Sequence, residues 1–316
     1  LVFHHVVIDN LSLQNIHFQL AEYYSIKGAQ TCADGNRVQF YDYAAWEKQW
    51  LNGGRVKLHE EYWREKLRNL PEPIRFLSSE CPDGSLISRS GHLIWELSEK
   101  ATTLFRRFCN EMHCSLFMGM LTVYMLLLHQ ILGRDDIIVG APVSNRQRPE
   151  AQEMIGPFIN SLPFRALVDI KGSIRKFFST VKEVCLEAYE NKELPFEKIL
   201  SAANIPRNLE VHPIYQVWFV LENYTDAPIW PQVSVSEVEL ESVYAKFDLS
   251  FWALEKKSHL TCGFEFSINK FSVDEINSFS IAIENIMKYC VNFSENSVGS
   301  LADALFPQNN KGVVKE

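Results

Sequence analysis

No Cys-x-x-Cys pair, no glycine-rich phosphate loop and no serine elbow occurs in this chain of 316 residues. Each absence removes a class of chemistry. The seven cysteines, at positions 32, 81, 109, 114, 185, 262 and 290, are odd in number and scattered. That pattern argues against a disulfide framework or a zinc ribbon and fits a reducing, cytoplasmic compartment. Without a G-x-G-x-x-G or Walker sequence, nucleotide-dependent chemistry has no support. Without G-x-S-x-G or a locally activated cysteine, the nucleophile of any transfer reaction has to arrive with the substrate. A basic excess is missing too: 31 Lys and Arg face 39 Asp and Glu, for a net charge of −8. That balance leaves no footprint for nucleic acid and no polybasic surface for a membrane. The most apolar stretch, Leu116 to Leu128, is stopped by His129-Gln130. It falls short of the roughly 20 residues of a membrane span and reads as a buried core helix. No charged leader precedes an apolar core at the N-terminus, so no signal peptide is expected.

What the chain does contain is apolar mass, 47% of its residues, enough for a sizeable core. Leu13, Ile16, His17, Leu20, Tyr23 and Tyr24 recur at helical spacing, and Tyr41 to Leu70 suits amphipathic helices. Asp34-Gly35-Asn36 reads as a loop, and the proline- and serine-rich stretch from Pro71 to Arg89 as a linker. Beyond it, His92 to Leu97 is strand-like. Ser98 caps a helix to Met112, Ser115 caps one ending near Gly133, and Gly172-Ser173 caps one through Tyr189. Asp136 to Gly140 and Ile214 to Leu221 read as strands. Phe247 to Leu254 and His259 to Phe266 read as a hairpin, and Val273 to Cys290 as a terminal helix. Strands often follow strands. The expected class is therefore α/β (α+β), in two sandwich-like lobes and not a doubly wound parallel sheet.

The sharpest feature stands at the start: Phe3-His4-His5-Val6-Val7-Ile8-Asp9-Asn10. The apolar lead-in reads as a strand, which would send His4 and His5 to opposite faces. His5, at the strand's end, is the better candidate for a cleft, and it can take or give a proton near neutral pH. Asp9 would be buried at the turn and in need of a cationic partner. Residue pattern alone leaves catalysis, packing and metal ligation open. Metal is the weakest of the three, because no cluster of further ligands is apparent.

These residues resemble the HHxxxDG signature of nonribosomal peptide synthetase condensation domains, which belong with chloramphenicol acetyltransferase-like acyltransferases. Later blocks narrow the resemblance. Tyr41-Asp42-Tyr43-Ala44-Ala45-Trp46 resembles the family's Y-x-D-[FY]-A-x-W block, and Ile155 to Arg165 (IGPFINSLPFR) its IGxFxNxLxxR block. Leu194-Pro195-Phe196-Glu197 matches LPFE, and Arg207 followed by Pro213-Ile214-Tyr215-Gln216 resembles R…PLFQ. The ordered set runs along nearly the whole chain.

The resemblance implies a two-lobed acyltransferase fold with the first lobe incomplete. Residues 1–85 would be the C-terminal part of the first lobe with the His motif, and residues 86–316 the second lobe. It implies amide formation between a donor acyl thioester and the amine of an acceptor aminoacyl thioester. His5 would position or deprotonate that amine, or stabilise the tetrahedral intermediate. His4 and Asp9 would support it, with Arg207 as the expected ion-pair partner of Asp9. Ser144, Asn145, Arg146 and Asn160 would lie near the cleft, while Trp46 and Phe196 read as packing. The chain would bind no metal and no cofactor of its own. Phosphopantetheine would come on upstream and downstream peptidyl carrier domains, next to an adenylation domain in the same polypeptide. Two departures stand out. Asn10 replaces the usual glycine, and the chain begins within the His motif's strand, so an isolated piece is expected to be poorly active. An epimerisation domain and a catalytically inactive carrier-docking module are the competing expectations.

Overall fold

The structure, a computed structural model, describes residues 2–25, 38–76, 88–205, 212–236 and 243–305. The expected loop at Asp34-Gly35-Asn36, most of the 71–89 linker, Cys32, Cys81 and Arg207 lie outside these residues.

The described lead-in to the histidines, residues 2–4, forms no strand, and the chain turns at His5 and Val6. The Val7 N–H donates to the His4 carbonyl at 3.1 Å, which closes the chain back on itself where an extended strand would need a neighbouring strand. Helix α1 (Asn10–Ser25) follows directly. Helices α2 (Phe40–Leu51) and α3 (Val56–Lys66) come next. The Asp42 carboxylate reaches back to the Gln39 N–H at 2.9 Å and so closes the first turn of α2. In α3, Trp63 is fully buried, and its Nε1–H donates to the Asn191 carbonyl at 3.0 Å. The described part of the linker is pinned down. Ile74 N–H donates to the Gln216 side-chain carbonyl at 2.7 Å, and an Arg134 guanidinium N–H donates to the Glu72 carbonyl at 2.6 Å.

Strand β1 (Ser90–Glu96) leads to α4 (Glu99–Glu111) and then α5 (Leu116–Leu132). The Ser98 and Ser115 hydroxyls accept the N–H groups of Ala101 and Met118, as helix-capping serines do. Gly133, at φ +61°, ends α5 in the left-handed region that favours glycine. Then come β2 (Asp136–Ser144), β3 (Ile159–Leu167), α6 (Ile174–Glu190), α7 (Phe196–Ala202), β4 (Val217–Asn223), β5 (Leu249–Glu255), β6 (Leu260–Ser267), α8 (Val273–Asn292) and the short α9 (Leu301–Leu305).

The six strands form one mixed sheet, in the order β1-β6-β5-β4-β2-β3. Parallel pairing joins β2 to β4 and β4 to β5, and the remaining neighbours are antiparallel. The expected hairpin is β5 with β6. The expectation of an α/β class holds, with one sheet among the described residues. Strand β3 carries a proline. Pro163 sits within it opposite Gly140, and an edge strand tolerates the missing donor.

Helix α5 packs on α6, α8 and the sheet and is buried from Met118 to His129. Its fully buried Tyr124 donates its hydroxyl to the Leu249 carbonyl at 3.2 Å. Phe219, Phe251 and Phe264 lie side by side across the sheet, with Trp95 stacked on Phe264 at 5.4 Å. Each of the three fully buried phenylalanine rings stabilises the sheet by about 1.5–3 kcal/mol through burial alone. Among the described residues, no single helix is long and apolar enough to cross a membrane.

Candidate active site

The two histidines share a turn but hold their protons differently. The His4 Nδ1 accepts the Val6 N–H at 3.1 Å, so the neutral ring carries its proton on Nε2. The His5 Nδ1 lies 2.9 Å from the Ile8 carbonyl, which can only accept, so Nδ1 carries the proton and the lone pair sits on Nε2. Both side chains are exposed. A base needs that outward lone pair. His5 therefore remains the candidate on tautomer grounds, whereas the strand argument that first favoured it does not apply.

Asp9 caps α1. Its Oδ1 accepts the Ser12 N–H at 2.8 Å, and its Oδ2 accepts the Phe158 N–H at 3.1 Å. Asp9 has a cationic partner in Arg146, which places Nη2 2.8 Å from Oδ1 and Nε 3.3 Å from Oδ2. Arg207, the partner expected from the sequence, lies outside the described residues. The Arg146 pairing has a topological origin. The chain leaves β2 at Ser144 and turns under the first turn of α1, which delivers the Arg146 fork to both carboxylate oxygens. Both partners are almost fully buried, with side-chain exposure of 2% each. Burial alone would push the Asp9 carboxyl up. The Arg146 guanidinium, the Ser12 hydroxyl and the Ser12 and Phe158 N–H groups outweigh it and hold the carboxyl below its usual range.

Arg146 does more than pair. It donates to the carbonyls of Ala151 and Met154, and its guanidinium lies 4.1 Å from the centre of the Phe158 ring. Sequence reasoning missed Ser12 altogether. Its Oγ accepts from Arg146 Nη2 at 2.6 Å and from the Gly156 N–H at 3.0 Å, and donates to the Gly156 carbonyl at 2.9 Å. The available signal was its position three residues after Asp9, where a cap finds its amide partner. Gly156 has no room for a side chain, because a Cβ there would stand 2.2 Å from the Phe40 ring.

The remaining candidates divide. Asn160 is fully engaged: its amide donates to the carbonyls of Lys192 and Leu194, and its Oδ1 accepts the N–H groups of Ser161 and Phe196. It holds the Leu194–Phe196 segment in place and has no group left for substrate. The exposed Ser144 accepts the Arg146 N–H on its hydroxyl and the Lys192 ammonium on its carbonyl. Asn145 donates its N–H to the Phe158 carbonyl, while its buried side-chain Oδ1 has no partner. Trp46 packs as expected, with Arg148 stacked over it at 4.1 Å and Tyr43 beside it. Phe196 packs against Tyr215 and His212. Asn10 opens α1 with ordinary right-handed backbone angles and an exposed side chain, so this position does not require glycine.

His212 is a second histidine environment that the sequence did not single out. It stacks on Tyr215 at 4.0 Å, and burial pushes its pKa down to about 4. It is a neutral packing group. Two hollows stand apart from the histidine turn. One is an open groove of about 750 Å³ lined by Tyr62, Arg165, Leu167 and Glu187, and the other a hollow of about 50 Å³ between α4 and α8.

Known proteins align with this arrangement along almost its whole length. A 298-residue stretch is 32% identical to a linear gramicidin synthase polypeptide of Brevibacillus parabrevis, covering 90% of this chain and 4% of that protein. A 299-residue stretch is 23% identical to a plipastatin synthase polypeptide of Bacillus subtilis (strain 168), covering 94% of this chain and 8% of that protein. The chain thus spans a small fraction of the curated relatives it matches. Among solved structures, the X-domain from teicoplanin biosynthesis superposes with a TM-score of 0.82 at 20% identity, over 93% of this chain and 69% of that one. The first condensation domain of the calcium-dependent antibiotic synthetase, in complex with a substrate analogue, superposes with a TM-score of 0.75 at 17% identity, over 94% and 64%. These likenesses establish the fold. The pattern of the family described as Condensation domain matches residues 1–303, taking in the histidine turn, the Asp9–Arg146 pair and the mixed sheet, and the chain belongs to that family.

Proposed function

We propose that this chain carries the acyl-transfer site of a nonribosomal peptide synthetase and forms an amide bond between two carrier-bound substrates. The observation that carries the reading is the pairing of an outward His5 Nε2 lone pair with a turn locked from below by the buried Asp9–Arg146 pair. The amine nitrogen of the acceptor aminoacyl thioester attacks the donor thioester carbonyl carbon. A C–N bond forms, and the carbonyl electrons move to oxygen. His5 Nε2 accepts the amine proton, or holds the amine by hydrogen bond while the charge develops. Collapse of the tetrahedral intermediate breaks the C–S bond, and the proton leaves with the phosphopantetheine thiolate. Holding both arms at one site makes the encounter effectively intramolecular, worth up to about 7–11 kcal/mol of the barrier.

Within this proposal, phosphopantetheine is part of the substrates. It is delivered by upstream and downstream peptidyl carrier domains, with an adenylation domain in the same polypeptide. Residues 1–85 belong to the first lobe and residues 86–316 to the second. The exposed Val2, Phe3, Val6, Leu13, Phe18 and Leu20 support a further apolar surface packing on the His turn and α1. A cytoplasmic location is part of the same reading and agrees with the five cysteines among the described residues, all buried and free. A second reading, a docking module without chemistry, has one observation behind it: the X-domain neighbour has also been seen in complex with OxyB.

The deciding experiment places His5→Ala in a polypeptide that carries this chain between its loaded carrier domains. Mass spectrometry then follows the acceptor arm. Amide formation predicts a mass gain in wild type and its loss in the variant. Transfer that survives His5→Ala removes His5 from the chemistry. Racemisation without mass change identifies an epimerisation domain.

A further inference from the structure

The turn between α4 and α5 brings together two thiols that acyl transfer does not use. Helix α4 ends in a Schellman motif: the His113 N–H donates to the Asn110 carbonyl at 3.0 Å, and the Cys114 N–H donates to the Cys109 carbonyl at 3.0 Å. His113, at φ +51°, supplies the left-handed residue that the motif requires and that glycine more often provides. The motif brings the side chain three positions before the helix cap against the one two positions after it. Here both are cysteines, and both are free thiols. Cys109 is 2% exposed and Cys114 is 8% exposed.

We propose that Cys109 and Cys114 form a redox-active dithiol, which a peroxide closes into an intramolecular disulfide. Two cysteines facing each other across a loop closed by the 3.0 Å Cys114 N–H to Cys109 carbonyl bond meet the backbone proximity condition that most cysteine pairs fail. The roles follow from the surroundings. The Cys109 hydrogen bond and the Lys182 ammonium hold Cys114 below the usual thiol range against burial, while the same hydrogen bond and burial push Cys109 up. Cys114 is also the more exposed of the two. Its thiolate attacks one peroxide oxygen, the O–O bond breaks, and Cys114 becomes a sulfenic acid as one water leaves. The Cys109 sulfur then attacks the Cys114 sulfur, the S–S bond forms, and the sulfenic oxygen leaves as a second water. The two cysteines lose two electrons and two protons, and the peroxide is reduced to two waters. Cys185 and Cys290 sit nearby on α6 and α8 without being part of the pair. Both are fully buried, and burial pushes both thiols up, Cys185 to about 12.

The test treats the reduced, folded chain with hydrogen peroxide, alkylates the remaining thiols and maps the products by mass spectrometry. Trypsin leaves both cysteines in one peptide, Phe108 to Arg134, and cleavage after Glu111 separates them. The expected result is a tryptic peptide two hydrogens lighter and unalkylated at both positions. After Glu111 cleavage its halves stay joined until dithiothreitol is added. In Cys109→Ser, dimedone is expected to trap a sulfenic acid at Cys114. Alkylation of both residues in peroxide-treated wild type overturns the proposal, as does a preferred disulfide to Cys185 or Cys290. Dimedone labelling of Cys109 in Cys114→Ser at a rate equal to that of Cys114 in Cys109→Ser overturns the assignment of roles. The wild-type measurement needs no variant and stands if a substitution impairs folding.

Discussion

Replacing Arg146 by methionine removes the charge under the histidine turn while keeping most of the side-chain volume. Three losses coincide. The Asp9 carboxylate is left with its Ser12 and Phe158 partners, the Ala151 and Met154 carbonyls lose their shared donor, and Ser12 loses one of the two groups that donate to its hydroxyl. Removing one partner of a buried ion pair typically destabilises by about 3–5 kcal/mol, because the other charge is stranded. At roughly 2–4 °C per kcal/mol, that is a fall of about 6–20 °C in melting temperature. Asp9→Asn keeps an N-cap, and Arg146 keeps its carbonyl partners, so a smaller loss of about 2–3 kcal/mol is expected. The double variant should be more stable than the sum of the singles predicts, by at least about 1 kcal/mol. Urea denaturation of the four proteins checks this. The Asp9 carboxyl is held below its unfolded value, so its contribution is fully present at neutral pH and disappears as pH falls through the folded value. The gap between wild type and Arg146→Met should therefore narrow in acid. Strictly additive singles, or an Arg146→Met loss below about 0.5 kcal/mol, would refute the coupling.

Three further outcomes follow from the packing. His212 titrates near 4 when folded and near 6.5 when unfolded, so the unfolded chain binds the extra proton between those values and stability falls as pH drops through that window. The loss is about 1–3 kcal/mol after allowance for the ring's partial exposure; His212→Phe should flatten that part of the stability–pH curve, and an unchanged slope would refute the assignment. Gly140→Ala places a Cβ 2.2 Å from the buried Tyr215 ring, and chemical denaturation should register a loss of about 1–3 kcal/mol. Asn10→Gly, at an exposed position with helical backbone angles, should leave amide formation unchanged and shift stability by less than about 1 kcal/mol; a recovered or lost activity would show that the side chain meets substrate.

Local features were the most legible in the sequence. Serine caps at Ser98, Ser115 and Ser173 and the glycine stop at Gly133 were readable because each acts within one helical turn. The His motif and its ordered blocks pointed to the family for the same reason: each is a short run of adjacent residues. What could not be read was pairing between distant segments. Asp9 plainly needed a cation, yet nothing in the linear chain points to Arg146. That pairing depends on where β2 ends relative to α1. Strand β3 was not read from the sequence, and whether a strand tolerates a proline such as Pro163 depends on whether it lies at an edge or in the middle of the sheet. The lead-in to His4 carries strand-forming residues, but residues 2–4 join no strand of the described sheet.

The clasp between Asp9 and Arg146 joins groups 137 positions apart. A contact of that span forms only after the intervening chain has collapsed, and closing such a loop carries an entropy penalty that grows with the logarithm of its length. The reactive turn is therefore assembled late on the folding pathway, after the helices and the β5–β6 hairpin that form from neighbours. Catalytic competence, followed in time during refolding, should lag behind recovery of helical signal and serve as a clock for completion of the native state.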